Sequence, residues 1–191
     1  MPPKAKFTKQ QITDAALEIV REEGVEKLTS RNLGKKLGSS ACPIFTVFPN
    51  MEEVEKAMVE SAKAIYKGYV DKGLSDEIPF RGVGEKYVSF AVKEPRLFEL
   101  LFMGESKESP SLDCILPLLD ESYEEILCSL INSAMVDRKT AEKLYRHLWV
   151  YTHGIACLCA TKTCQFSKSE IQRMMTEVFQ SLLKNNETCH E

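Results

Sequence analysis

Apolar residues recur at helical spacings of three, four and seven along nearly the whole chain. Nowhere do they alternate as the two faces of a half-buried strand require. A chain patterned this way buries its hydrophobic stripes by packing helix on helix, so the expected fold is all-α, with about nine helices. At 191 residues, 43% of them hydrophobic, it is long enough to bury a sizeable core in one or two domains. No apolar run approaches membrane-spanning length and the start, Met-Pro-Pro-Lys-Ala-Lys, carries no apolar segment. The expectation is a cytoplasmic protein with no membrane partner. Ser-His-Asp elbows, Glu-x-x-His pairs, phosphate loops and zinc motifs are missing from the sequence, which points away from an enzyme and from any cofactor or metal.

The helix signals fall in a regular order. Thr8 is a suitable N-cap for a stripe of Ile12, Ala15, Ala16, Ile19 and Val20 that Gly24 ends. Asn50, with Glu53 three residues on, starts a long helix through Val54, Met58, Ala62, Ile65 and Tyr69 to about Lys72. Pro79 opens a helix that stops before Pro95, and Leu97, Phe98, Leu100, Leu101, Phe102 and Met103 make a very apolar short one that is buried or lines something. Residues 104–111 read as a loop. A helix starting near Pro117 carries Leu119, Tyr123, Ile126, Leu127 and Leu130. Asp137 caps the next, to about Thr161, and Ser167-x-x-Glu170 is a capping box for the last. Seven cysteines, an odd count without paired C-x-x-C spacing, argue against a disulfide framework and a zinc finger, and most are expected to be reduced, small and buried.

Residues 28–49, LTSRNLGKKLGSSACPIFTVFP, stand apart. Thr29 caps a helix in which Leu33 and Leu37 share a face, and Gly38 ends it in a left-handed conformation. Ser40 then caps a second short helix over 41–47, with Pro43 in its first turn and Ile44 and Phe48 packing inward. Two short helices crossing steeply at a glycine leave the second free to enter a major groove, although an ordinary αα-hairpin would show the same spacing. The charge divides accordingly. Residues 1–50 hold eight Lys/Arg against five Asp/Glu, a net of +3, so that the overall −3 leaves −6 for the rest. A basic module on an acidic body suits a protein that touches phosphate at one end, with residues 4–9, Lys6 among them, as a basic arm.

The run L-T-S-R-N-L-G-K-K-L-G followed by I-F-T-V-F-P-N resembles the TetR-type repressors, whose pattern is T-x-R-x-[IL]-A-x-x-x-G, then [LI]-Y-x-[HY]-F, then a lysine. The likeness covers about the first third of the chain. It implies a helix-turn-helix DNA-binding domain over 1–50 and an effector-binding and dimerisation domain over 51–191. It also implies backbone contacts to a double-stranded DNA operator from Thr29, Ser30 and Arg31, with Ser40, Ala41, Cys42, Pro43, Phe45, Thr46 and Val47 presented by the reading helix. Two positions depart from the pattern: Phe45 stands where the family has tyrosine, and Met51 where it has lysine. Each loses one hydrogen bond or charge to DNA, and the reading helix holds no Arg, Lys, Asn or Gln for bidentate base recognition.

In the second half, Tyr145, Trp149, His153 and Cys157 follow at intervals of four and so share a helix face. The run from Trp149 to Gly154 resembles a Trp-His-Gly variant of the C-terminal regulatory domain in some TetR-type proteins. TetR-type proteins usually hold a small-molecule effector among their central helices. The resemblance thereby marks Tyr87, Phe90, Phe98, Phe102, Tyr123, Trp149 and His153 as candidate pocket residues. The same aromatics also suit a solid core, and His153 a packed histidine with one hydrogen bond. His153 and Cys157 are too few ligands for a metal. The broad apolar faces of the last two helices predict a homodimer built through them. The alternative function is a helical ligand-binding or interaction protein that has lost specific DNA binding.

Overall fold

A computed structural model describes residues 5–104, 111–119 and 121–187. Among these are nine α-helices and two short 3₁₀ turns, with no strand. The helices are α1 (Lys9–Glu23), α2 (Ser30–Lys36), α3 (Met51–Leu74), α4 (Pro79–Lys93), α5 (Pro95–Phe102), α6 (Leu112–Leu119), α7 (Tyr123–Ala134), α8 (Arg138–Ala160) and α9 (Lys168–Glu187). No described helix is long and apolar enough to cross a membrane. Lys4, most of the 104–111 loop and Cys189 lie outside the described residues.

The expected caps form. Thr8 Oγ1 accepts from the Gln11 amide at 3.1 Å while the Gln11 side chain accepts from the Thr8 amide at 2.9 Å. Asn50 Oδ1 accepts from the Glu53 amide, Asp137 Oδ1 from Thr140 and Ser167 Oγ from Glu170, at 2.9, 2.7 and 3.2 Å. Each satisfies an amide that the first helical turn would leave unpaired, an effect of about 1 kcal/mol.

Two compact units result. The first holds described residues 5–65 and 94–104, the second 66–93 and 111–187. The boundary expected at residue 50 is therefore displaced, because the stripe of α3 runs on without a break. Val54, Met58 and Ala62 are fully buried in the first unit, where α5 also belongs and packs on α1. Arg21 of α1 fixes that packing with a bidentate pair to Glu94, at 2.6 and 2.9 Å. In the second unit α4 and α8 form the central pair, flanked by α7 and α9. Phe90, Ile126, Leu127, Leu130 and Leu144 are fully or almost fully buried there. Each such side chain contributes about 1.5–3 kcal/mol by leaving water.

Three expectations change. The helix foreseen from Pro117 is two helices: Pro117 lies inside α6, and α7 begins only at Tyr123. The second motif helix over 41–47 is a 3₁₀ turn, Ile44–Thr46. The cysteines are less buried than their hydrophobicity suggested: Cys42, Cys114, Cys128 and Cys164 are exposed, and Cys157 and Cys159 half-buried.

Candidate DNA-facing surface and effector cavity

In the first unit, residues 28–49 fold as α2, a glycine turn and the 3₁₀ segment. Thr29 caps α2, its hydroxyl accepting from the Asn32 amide at 3.2 Å. At the other end Gly38 takes a left-handed φ of 63°. That conformation lets the Gly38 amide reach the Lys35 carbonyl at 3.0 Å and the Ser39 amide reach Gly34 at 2.8 Å, the paired bonds of a Schellman turn. Gly34 makes the turn tight. A Cβ there would stand 2.9 Å from the Ser40 carbonyl carbon and 3.0 Å from the Ala41 nitrogen, both backbone atoms that cannot yield cheaply.

Beyond the turn, the amides of Ile44, Phe45, Thr46 and Val47 each bond to the carbonyl three residues back, at 3.0–3.3 Å. Pro43 donates nothing, no side chain caps the segment, and Thr46 Oγ1 donates to the Pro43 carbonyl at 2.7 Å. These local bonds hold the chain in the tighter 3₁₀ winding. Ile44 and Phe48, nearly or fully buried, anchor the segment, and Cys42, Phe45 and Thr46 face outward, Phe45 with 45% of its surface exposed.

The outer face of α2 and the turn enclose an open polar concavity lined by Ser30, Arg31, Asn32, Lys35 and residues 38–41. Arg31 and Lys35 are exposed there and enter no ion pair among the described residues. Lys36 points elsewhere, to Glu22 and Glu18 at 3.1 and 3.2 Å, and those hydrogen bonds hold its ammonium above the usual lysine range. Lys6 Nζ donates to Ser39 Oγ at 3.0 Å, which lays the arm against the turn. Of the predicted contact residues, Lys6, Thr29, Ser30, Arg31, Ser40 and Ala41 thus gather at one concavity or its rim. Pro43 and Val47 are half-buried in the segment beside it.

In the second unit the face of α8 closes on α4. The Tyr87 hydroxyl lies 2.9 Å from His153 Nδ1, Cys157 Sγ lies 3.3 Å from Nε2, and Trp149 stacks on the imidazole at 4.7 Å, 8° from parallel. Burial pushes His153 below the ordinary histidine value, so the ring is neutral at pH 7. A neutral ring satisfies both neighbours in either tautomer, donating to one and accepting from the other. Burial also raises the Cys157 thiol, and it raises Cys159 together with a lesser contribution from Cys164. Neither thiol is biased toward the reactive thiolate.

Tyr87 and Trp149 line a small void of about 40 Å³ with Tyr66, Phe80, Tyr145, Leu148 and Met175. Phe90 is fully buried against Tyr66 and Tyr69, and Tyr123 packs edge-on to Tyr145 at 5.3 Å; neither reaches the void. Phe98 and Phe102 pack on each other at a tilt in α5, which belongs to the first unit, and do not line it either. Met175 was not foreseen as a wall. A Cβ at Gly84 would meet its methyl, and a glycine inside a helical pattern was the available signal. Among the described residues no three His, Cys, Asp or Glu side chains come close enough to hold a metal.

Across 94% of this chain and 97% of the other, the structure superposes on the fatty acid degradation regulator FadR from Bacillus halodurans, with a TM-score of 0.60 and 18% identity. The chain has a TetR/FadR-like all-α fold. In sequence, 106 residues are 24% identical to the nucleoid occlusion factor SlmA of Glaesserella parasuis serovar 5 (strain SH0165). That match spans about half of each protein, 53% of both. No family model matches the chain. Within this fold α8 leaves one side uncovered: Val150 and Leu158 are 51% and 38% exposed, and a Cβ on Gly154 between them would meet nothing within 4 Å.

Proposed function

We propose that the protein is a DNA-binding transcriptional regulator of TetR type, a homodimeric repressor that a small apolar effector releases from its operator. The observation that carries this reading is the concavity over α2, where Arg31 and Lys35 are exposed without an anionic partner among the described residues. Two unpaired cations beside a turn fixed by Gly34 and Gly38 suit phosphate contacts on either side of a groove. Ile44 and Phe48 hold the adjoining segment so that Cys42, Phe45 and Thr46 meet base edges. With no bidentate donor among them, recognition draws on methyl and aromatic contacts and on DNA shape. The fold shared with a regulator of fatty acid degradation supports the regulatory reading.

Release follows if the effector favours a conformation of the second unit that α3, which contributes residues to both units, transmits to the DNA-binding one. Effector and operator then disfavour each other reciprocally, by about 1–3 kcal/mol. A second reading, a helical ligand-binding protein that no longer reads DNA, is favoured by the 3₁₀ winding of the reading segment and by Phe45 and Met51 in place of polar phosphate contacts. Selection of bound fragments from a random DNA pool decides between them. The repressor reading expects enrichment of a palindromic site, and recovery of no sequence over background removes it.

A further inference from the structure

The void beside Trp149 is small, and His153 is not among the side chains that line it. A water's share of liquid volume is about 30 Å³, and an engineered apolar cavity of about 150 Å³ takes up benzene. At about 40 Å³ the Trp149 void holds a water or two. A larger cleft of about 340 Å³ lies on the other side of Phe80, Leu148 and Met175, which wall both. Its further lining is Leu130, Phe179 and Leu183, and its rim is polar, with Arg81, Ser133 and Gln180. That volume is within the range of small-molecule sites and about twice the benzene cavity.

We propose that this cleft between α4, α7, α8 and α9 binds an amphipathic monocarboxylate, its apolar chain among Phe80, Leu148, Phe179 and Leu183 and its carboxylate on Arg81. The geometry at the rim selects the head group. Arg81 is 41% exposed, and its one ionic contact among the described residues is Glu85, at 3.6 Å from Nε, too long for a hydrogen bond. Glu85 has better partners: Gln172 donates to it at 2.7 Å, and Lys168 stands at 3.5 Å. The outer guanidinium nitrogens of Arg81 are therefore left with no acceptor among the described residues, at the mouth of an apolar cleft. One guanidinium, in a chain whose residues 51–191 carry −6, favours a single negative charge over a dianion.

A second copy of the chain is a poorer occupant. At 100° per residue, the α9 side chains facing the cleft, Phe179 and Leu183, stand roughly opposite Glu177, Ser181 and Lys184, the exposed and polar side of that helix, which offers a second copy no apolar surface continuous with the cleft. The proposal relocates the effector of the regulator reading from the Trp149 void to this cleft, and it rests on that reading only for the link to DNA.

The test is calorimetric titration of the full chain with sodium decanoate and with decan-1-ol, with no DNA present, so that its outcome is independent of DNA binding. Decanoate is expected to bind saturably, one per chain, and decanol at least tenfold more weakly. Arg81→Gln should weaken decanoate roughly tenfold or more, the size of a lost charge-assisted hydrogen bond, and leave decanol unchanged. Ser133→Phe and Gln180→Phe, at two separate exposed rim positions, should each block both ligands while circular dichroism stays that of the parent. Equal affinity for decanoate and decanol, or decanoate binding indifferent to Arg81→Gln, would overturn the head-group assignment. Absence of decanoate binding, or binding that survives both rim variants, would overturn the site, as would conversion of a dimer to monomers by the rim variants, which would make the cleft an interface.

Discussion

Arg31 and Lys36 are five residues apart and meet opposite fates. Lys36 lies between Glu18 and Glu22, while Arg31 and Lys35 face the open concavity. If the concavity receives phosphate, Arg31→Ala weakens binding to every sequence and lowers the salt slope by about one unit, whereas Lys36→Ala changes the slope little. Anisotropy titrations across salt concentrations check this, and an altered base preference with an unchanged slope would reassign Arg31 to base reading. His153 supports a prediction about pH. Its protonation is disfavoured in the fold, so the unfolded chain binds more protons once pH falls toward the ordinary histidine value of about 6.5. Its contribution is complete above that value and is lost as pH drops through it. Denaturant midpoints should fall between pH 7.5 and 5.5, and His153→Gln should flatten that fall, since carboxylates titrate mainly below about pH 5. Identical pH profiles for parent and variant would contradict the burial argument. The stacking of Trp149 on His153 followed from their spacing of four on one helix, but the Tyr87 hydroxyl on Nδ1 did not, because it comes from another helix 66 positions away.

At the scale of elements, what was legible was what is decided locally. The side-chain caps Thr8, Asn50, Asp137 and Ser167 and the stops at Gly24 and Gly38 act within four residues of themselves, so their signals survive in the sequence. The segment over 41–47 was misjudged because Ser40, Pro43 and Thr46 are each compatible with a helix, yet together they favour bonds to the third residue back over the fourth. The break between α6 and α7 was misjudged because Leu116, Ile126 and Leu127 continue one apolar stripe across it. Gly34 offered no local signal, since its role is to let residues 39–41 approach α2. Gly34→Ala, which would ordinarily favour a helix, should instead destabilise the protein by about 1–3 kcal/mol through overpacking against backbone. Thermal denaturation measures it, and a stabilised variant would mean that the turn opens freely.

At the scale of the molecule, the division into two units could not be read from the chain order, because α5 returns to the first unit after α4 has joined the second. The side of α8 bearing Val150, Gly154 and Leu158 is exposed and largely apolar, and a second copy packing its own last two helices there would bury it in a four-helix contact. Val150→Glu with Leu158→Glu should yield a folded monomer by light scattering. By contrast Gly154→Ala should add up to about 1 kcal/mol of helix stability to the isolated chain. A parent chain that is monomeric at micromolar concentration would remove the dimer. Two heads held about 34 Å apart, one turn of the duplex, are what a palindromic site demands. The most direct measurement is therefore a titration of the protein onto a selected palindromic duplex and onto an unrelated duplex of equal length, repeated over a range of salt. The expected result is two chains per selected duplex, affinity at least about 10³-fold above the unrelated one, and a log–log salt slope of several units. Equal affinity for both duplexes, or no saturable binding at any salt concentration, would contradict a sequence-reading regulator.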